Sequence, residues 1–187
     1  MMENQRFPRL NFVKQNLGGF TLVELLVVTA IILLLTALIL PNFRVGEREF
    51  ALQRSANKLS QDIRRAQQMA MSAKEYLGSL PPGYGIYLKQ GDTYYLLYAD
   101  TNPAAGNEKY DGGDSIVEKI YLEKKVYIKD VSPASLSINF KPPDPKIRIS
   151  GTGVDETSIA TITLALETDP TKTKTIKVNK AGLIYVE

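Results

Sequence analysis

The most apolar part of the chain lies near its N-terminus. Residues 20–40 read FTLVELLVVTAIILLLTALIL and contain one charged residue, Glu24. A helix of this length rises about 30 Å, which is enough to cross the hydrocarbon core of a bilayer. A helix that packs on the core of a soluble protein has polar residues every three or four positions, which form a polar face, and this segment has no such face. The pattern therefore predicts a membrane-spanning helix.

Beyond Pro41 the pattern becomes that of an amphipathic helix. Pro41 is expected to kink or break the helix, because proline removes a backbone hydrogen bond and clashes with the preceding turn. Apolar residues then recur every three or four positions, which predicts a single seam that packs on a sheet, with a coiled-coil partner as the alternative. The seam residues are Leu52, Ala56, Leu59, Ile63, Ala66, Ala70, Ala73 and Leu77. Gly78 and the sequence PPG at 81–83 are expected to end this helix.

After residue 83 the pattern is that of β-strands, with Val, Ile, Thr and Tyr in partial alternation. The connections at 90–92, 168–171 and 179–182 are turns too short for parallel crossovers, so the sheet should be antiparallel. The predicted strands are 84–89, 93–99, 116–122, 126–131, 136–140, 146–150, 158–167, 173–179 and 183–186. The fold class is therefore α+β: a long N-terminal helix whose second half packs on an antiparallel β-sheet domain.

The segment before the apolar run is a short basic leader. Its charged residues are Glu3, Arg6, Arg9 and Lys14. This flank should stay cytoplasmic, with the bulk of the chain exported. No small-residue cleavage site follows the apolar run, so an uncleaved signal-anchor is one interpretation. Glu24 argues for another, because a carboxylate in hydrocarbon costs about 2.5 kcal/mol or more and needs a partner.

Cleavage between Gly19 and Phe20 would supply that partner, because the new α-ammonium would lie close to Glu24 of its own or a neighbouring chain. The surrounding sequence, GGFTLVELL at 18–26, resembles the class III signal of type IV pilins and type II secretion pseudopilins. The resemblance implies that a prepilin peptidase cuts after Gly19 and N-methylates Phe20. It also implies assembly roles for Glu24 and for Pro41, which marks a kink in the long helix of this family.

The C-terminal half resembles a subgroup of that family, the H-type minor pseudopilins and FimT-like minor pilins. The resemblance rests on IRISGTG at 147–153, TITLAL at 161–166 and KTIKVNKAGLIYV at 174–186. A major pilin or a G-type pseudopilin is the main rival. The implied fold is pilin-like, and the implied function is that of a structural subunit of a type II secretion pseudopilus or type IV pilus, not an enzyme.

The same resemblance implies a place in the cell and a set of partners. The expected partners are other pilins or pseudopilins, prepilin peptidase and an inner-membrane assembly platform. The chain should be a single-pass inner-membrane protein, with its leader in the cytoplasm and its globular domain in the periplasm or at the cell surface. Its expected divisions are the leader at 1–19, the membrane and filament-core helix at 20–40, the amphipathic helix at 41–78 and the β domain at 79–187.

Composition narrows the chemistry further. The 187 residues include no His, Cys or Trp, so a Ser-His-Asp triad, a thiolate nucleophile and a His- or Cys-ligated metal are excluded. No Walker loop, nucleophile elbow or dinucleotide fingerprint is present. The net charge is +3, of which the leader supplies +2, so bulk charge does not indicate a nucleic-acid binder.

The loop at 100–114, DTNPAAGNEKYDGGD, concentrates oxygen-bearing side chains. Ca²⁺ takes six to eight oxygen ligands, and alternating Asp and Asn with Gly lets a backbone wrap around an ion. The candidate ligands are Asp100, Asn102, Asp111 and Asp114, with Asn107 and Glu108 beside them. The loop departs from a calcium-binding consensus at Pro103 and Ala104, and an ordinary solvated turn is the alternative.

A second candidate site is a cluster of basic residues in the last hairpin, Lys172, Lys174, Lys177 and Lys180. Some FimT-like minor pilins bind DNA for natural transformation, so the alternative function is that of a DNA-binding minor pilin of a competence pilus. Four lysines would give weak, salt-sensitive binding to phosphates. Lysines that protect an edge strand from aggregation are the simpler interpretation.

Overall fold

The computed structural model of the chain describes residues 18–142 and 146–187, without the side chains of residues 40–45. The leader cations Arg6, Arg9 and Lys14 lie outside these residues. The chain divides between Asn42 and Phe43 into two compact units. One helix, α1, runs from Leu22 to Met71 and contributes to both. The backbone is helical at Pro41, so a break there is not observed.

The helix ends at Met71, seven residues before the predicted limit at Gly78. Ala73 adopts a positive φ of 47°. The Lys74 N–H donates to the carbonyl of Met69 and the Ala73 N–H to that of Ala70, both at 3.1 Å. This pair of bonds is the Schellman motif, which satisfies carbonyls at the end of a helix. The predicted limit was wrong because this motif normally has Gly at the position that Ala73 occupies.

Nine antiparallel strands follow in the described part of the chain, and all nine correspond to predicted strands. They are β1 (Gly83–Leu88), β2 (Tyr94–Asp100), β3 (Ser115–Tyr121), β4 (Val126–Ser132), β5 (Leu136–Lys141), β6 (Lys146–Ser150), β7 (Ile159–Leu166), β8 (Asp169–Asn179) and β9 (Ile184–Val186). The α+β class and the antiparallel pairing are therefore confirmed.

The strands form two sheets, whereas one sheet was predicted. The five-stranded sheet has the order β3-β2-β1-β5-β6, and the four-stranded sheet has the order β4-β7-β8-β9. The chain crosses between the two sheets three times, after β3, β4 and β6. At the first crossing, a turn closed by a bond from the Val126 N–H to the Glu123 carbonyl, 3.1 Å, directs the chain into the second sheet. Short turns predict antiparallel neighbours, but they do not fix which strands become partners.

The second half of α1 packs on both sheets around one core. Six of the eight predicted seam residues, from Leu52 to Ala70, are buried in this core with side chains of both sheets. Arg65 forms an ion pair of 2.7 Å with Glu118 of β3, and Glu49 forms one of 2.9 Å with Lys172 of β8. Helix-on-sheet packing is thus confirmed, and the seam explains why this half of the helix has a fixed place.

The last two seam residues were assigned wrongly. Ala73 is exposed in the helix-ending motif. Leu77 is 84% exposed and forms the turn of a small hairpin in which Tyr76 pairs with Ser79. Leu77 and Gly78 both have positive φ, 51° and 78°, as the tightest two-residue hairpin turns require. The helical spacing of Leu77 is therefore coincidental.

Candidate functional site

The segment around the predicted cleavage bond is open. Residues 18–21 precede the helix in a non-helical conformation, and Gly18, Gly19 and Phe20 are exposed, with Phe20 at 82%. A Cβ atom added at Gly18 or Gly19 would meet nothing within 4 Å. Nothing in the described fold therefore requires glycine at these two positions.

The helix begins immediately after this segment, and Thr21 caps it. The Glu24 N–H donates to Oγ1 of Thr21 at 3.2 Å, and the Leu25 N–H donates to the Thr21 carbonyl at 3.1 Å. The first bond satisfies an amide group that the first turn of a helix otherwise leaves free, and the second is the first regular bond of the helix. This role of Thr21 was not predicted from the sequence, although Thr followed three residues later by Glu, as at Thr21 and Glu24, is a capping signature.

The surface of α1 from Leu22 to Ile39 is apolar along its length. The helical stretch Leu22–Ile39 has a mean hydropathy of 2.9, and none of it is buried by the described residues. Its two threonines expose little polarity, because Thr29 Oγ1 donates to the Leu26 carbonyl at 2.9 Å and Thr36 Oγ1 to the Ile32 carbonyl at 2.7 Å. Glu24 is thus the one charged group on a surface suited to hydrocarbon or to other helices.

Comparison with known families gives one match. The model of the prokaryotic N-terminal methylation motif matches residues 15–40. The motif indicates a type IV pilin-like precursor. No curated protein and no solved structure matches the chain. The motif thus supports the predicted family and a structural role, with processing by prepilin peptidase and assembly with pilins or pseudopilins. The matched region contains Gly19, Phe20, Glu24 and the apolar helical stretch Leu22–Ile39, which fits an inner-membrane anchor.

The loop at 100–114 uses its carboxylates as hydrogen-bond acceptors. Asp100 accepts from the backbone N–H groups of Asn107 at 3.1 Å and Glu108 at 2.7 Å. Asp114 accepts from those of Thr101, Asn102 and Asp111 at 2.9 to 3.1 Å. Both aspartates are buried, so the loop is a folded structure tied together by these two side chains.

This geometry argues against the predicted calcium site. Asp111 accepts from the amide groups of Asn102 and Asn107, so the oxygens proposed as ligands face N–H donors. The described residues contain no group of three or more acidic side chains placed to hold a metal ion. Burial raises the pKa of Asp100, while the hydrogen bond from Lys141 lowers that of Glu108.

The lysines of the last hairpin are mostly paired with carboxylates. Lys172 lies 2.9 Å from Glu49, Lys177 2.7 Å from Glu187 and Lys180 2.6 Å from Glu156. These pairs reduce the positive field that phosphate binding would need. Lys174 has no ion-pair partner within 4.0 Å among the described residues. The arrangement therefore favours an ordinary solvated hairpin over the predicted DNA-binding surface.

Proposed function

We propose that the chain is a minor subunit of a type II secretion pseudopilus or type IV pilus, assembled through its N-terminal helix. One observation carries the proposal: an exposed helical stretch that is apolar except for Glu24 directly follows an open cleavage segment within the methylation motif. In the membrane, lipid covers this surface, and in a filament the equivalent helices of neighbouring subunits replace the lipid. The work of the chain is then anchoring and packing.

The proposed topology follows from the charges and the length of the apolar segment. The basic leader stays in the cytoplasm, the helix spans the inner membrane, and the unit from Phe43 to Glu187 is exported. An assembly platform in the inner membrane is the expected partner. The absence from the whole chain of His and Cys agrees with a structural role. The assignment to the H-type subgroup rests on the sequence patterns at 147–153, 161–166 and 174–186.

Processing is proposed at the bond between Gly19 and Phe20. Removal of 19 residues from 187 leaves a mature chain of 168 residues that begins with N-methyl-Phe20. Intact-mass measurement of the protein extracted from membranes tests this directly. We expect the mass of the methylated 168-residue chain, and of the full precursor in a Gly19→Leu variant. Retention of Met1 in the native protein would show that no such processing occurs.

Glu24 is proposed to set the register of assembly by pairing with the N-terminal ammonium of a neighbouring subunit. Its carboxylate is costly in hydrocarbon, so a partner of opposite charge stabilises the assembled state. The Glu24→Val variant should be processed normally but should fail to enter filaments. Thr36→Val, which also removes a polar group from the apolar helix, is the matched control and should assemble. Normal incorporation of Glu24→Val, measured by immunoblot of sheared filaments, would contradict the pairing.

A further inference from the structure

An open cavity of about 300 Å³ lies on the five-stranded sheet, on the face opposite the helix. Its floor is a row of side chains from three adjacent strands, since Tyr87 of β1 pairs with Ser137 of β5, and Ser137 pairs with Ser150 of β6. Neighbouring residues in such a row point to the same side of a sheet. The floor is therefore built on rigid strands, and this is the arrangement that holds a binding site in place.

Two loops build the walls. Tyr110 folds over the sheet with its ring 4.4 Å from that of Tyr87, and its N–H donates to Ser137 Oγ at 3.1 Å. On the other side, the Thr152 N–H donates to the carbonyl of Ala134 at 2.7 Å. A side chain at Gly151 would lie 2.6 Å from that same carbonyl, so glycine is needed for this close approach.

Three hydroxyl groups that border the cavity have no hydrogen-bond partner among the described residues. Ser150 is only 3% exposed, yet its hydroxyl makes no hydrogen bond to any described residue and borders the cavity. The hydroxyls of Ser135 and Thr152 also lack partners among the residues described. Thr152 is exposed and Ser135 is half-buried, so these hydroxyls are accessible to a ligand in the cavity. Ser135 also has a positive φ of 51°, a strained conformation of the kind that concentrates at binding sites.

The charged residues that line the cavity have opposite signs, so their charges cancel. Lys109 and Asp155 both line it, with opposite signs, and neither forms an ion pair within 4.0 Å in the part of the chain that the structure describes. The nearby carboxylate of Glu108 is neutralised by Lys141 at 2.7 Å and Arg148 at 3.6 Å. A strongly charged ligand would therefore gain little here, and a neutral polar ligand fits better.

We propose that this cavity binds a neutral saccharide unit. The hydroxyls of a sugar both donate and accept hydrogen bonds, as do those of Ser135, Ser150 and Thr152. The apolar C–H faces of a sugar ring can pack on the rings of Tyr87 and Tyr110, and each tyrosine also carries a polar hydroxyl group. The volume lies at the lower end of the range for ligand pockets, which suits one or two sugar rings. The proposal does not depend on processing or filament assembly.

Saturation-transfer NMR on the full chain tests the proposal, with N-acetylglucosamine and maltotriose as probes. The protein should be held in phospholipid nanodiscs, because glucoside and maltoside detergents carry sugar headgroups that would compete for the cavity. We expect saturable transfer to at least one probe, with a Kd on the order of 1 mM. Absence of transfer to both probes at ten times that concentration overturns the proposal, as does binding of glucuronic acid more tightly than of either neutral probe.

Variants locate the binding. Ser150→Ala combined with Thr152→Ala removes two hydrogen-bonding hydroxyls and should weaken binding about tenfold or more. Thr173→Ala, an exposed position on the four-stranded sheet, is the control and should leave binding unchanged. Ser135→Gly keeps the positive φ while removing the hydroxyl, so it weakens binding without straining the fold. Unchanged affinity in both Ser135→Gly and the double variant would place any binding elsewhere and overturn the assignment.

Discussion

The two halves of α1 have the same secondary structure and opposite surroundings. In the first half, large apolar side chains from Leu22 to Ile39 are roughly half to four-fifths exposed. In the second half, the apolar seam from Leu52 to Ala70 is almost completely buried against two sheets. The chain therefore supplies a partner for one half of its longest helix and none for the other half within the described residues.

The difference shows where the stability of each half comes from. Burial of a large aliphatic side chain contributes about 1.5 to 3 kcal/mol, so the second half is stabilised within the chain. The first half gains nothing comparable from the described residues and depends on lipid or other helices. It does keep its backbone hydrogen bonds internal, which is what a bilayer requires of a spanning segment.

The largest expected effect on stability distinguishes the two halves of α1. Leu59→Ala removes a side chain that is 0% exposed and leaves a cavity in the core, which should destabilise the globular unit by about 2 to 5 kcal/mol. Leu33→Ala, at a position 70% exposed, should leave that stability unchanged within about 0.5 kcal/mol. Denaturant unfolding of the full chain in nanodiscs, followed by near-UV tyrosine signals, measures both. Equal destabilisation by the two variants would show that the halves do not differ in this way.

The next largest effect on stability is expected from the loss of a polar contact in the second half of α1. The Tyr95 hydroxyl on β2 donates to Asp62 on the helix, and both residues are buried. Burial and this hydrogen bond raise the pKa of Tyr95. Tyr95→Phe leaves the buried carboxylate short of a donor and should cost about 1 to 3 kcal/mol. Tyr121→Phe, at an exposed position, should cost little. Similar unfolding free energies for the two variants would mean that the Asp62 contact contributes nothing.

The sequence correctly predicted the features that depend on residues close together in the chain. Alternating Val, Ile, Thr and Tyr between turn residues located all nine strands, and the seam spacing located the helix face at Leu59 and Ile63. The division into two sheets was missed because pairing between distant strands such as β4 and β7 leaves no local pattern. The cavity was missed for the same reason, since Tyr87, Ser135 and Ser150 meet only in the folded chain. The predicted end of the helix was wrong because Ala73 and Leu77 continue the helical spacing.

Loss of the N-terminal cap should affect only the first half of α1. Thr21→Ala removes the acceptor for the Glu24 N–H and should destabilise the first turn by about 0.5 to 2 kcal/mol. Because the described residues supply no tertiary packing there, this loss should appear as faster hydrogen exchange at Glu24 and Leu25 in nanodiscs. Thr21→Ser keeps the oxygen and should retain protection. Unchanged exchange in Thr21→Ala would show that the cap is not formed in the membrane.

Near the other end of α1, replacing alanine by glycine should change the stability of the globular unit in opposite directions at two positions. Ala73 has a positive φ of 47°, which glycine adopts without strain. Ala73→Gly should therefore stabilise the globular unit by about 0.5 kcal/mol, the relief of strain outweighing the greater freedom of the unfolded chain. Ala66→Gly, within the buried seam, should destabilise it by about 1 kcal/mol or more. Denaturant midpoints of the two variants measure the difference, and destabilisation by both would contradict the assigned helix end.

The smallest effect concerns the surface of the globular unit and depends on pH. The hydrogen bond from Lys141 is the main cause that lowers the pKa of Glu108 from 4.5. A lowered carboxyl pKa contributes stability above its unfolded value, and this contribution is lost as the pH falls through the folded pKa. Because Lys141 and Glu108 are both partly exposed, Lys141→Met should cost only about 0.5 kcal/mol at pH 7.

The cost of the same variant should decrease as the pH falls below 4.5 through the folded pKa of Glu108, because protonation removes the charge that Lys141 pairs with. Carboxyl NMR should place the pKa of Glu108 below 4.5 in the native chain and closer to 4.5 in Lys141→Met. Lys146→Met removes the same charge from an exposed position that has no ion pair among the described residues, and it serves as the control. A cost that is equal at pH 3 and pH 7 would assign the effect of Lys141 to the packing of its side chain and not to its charge.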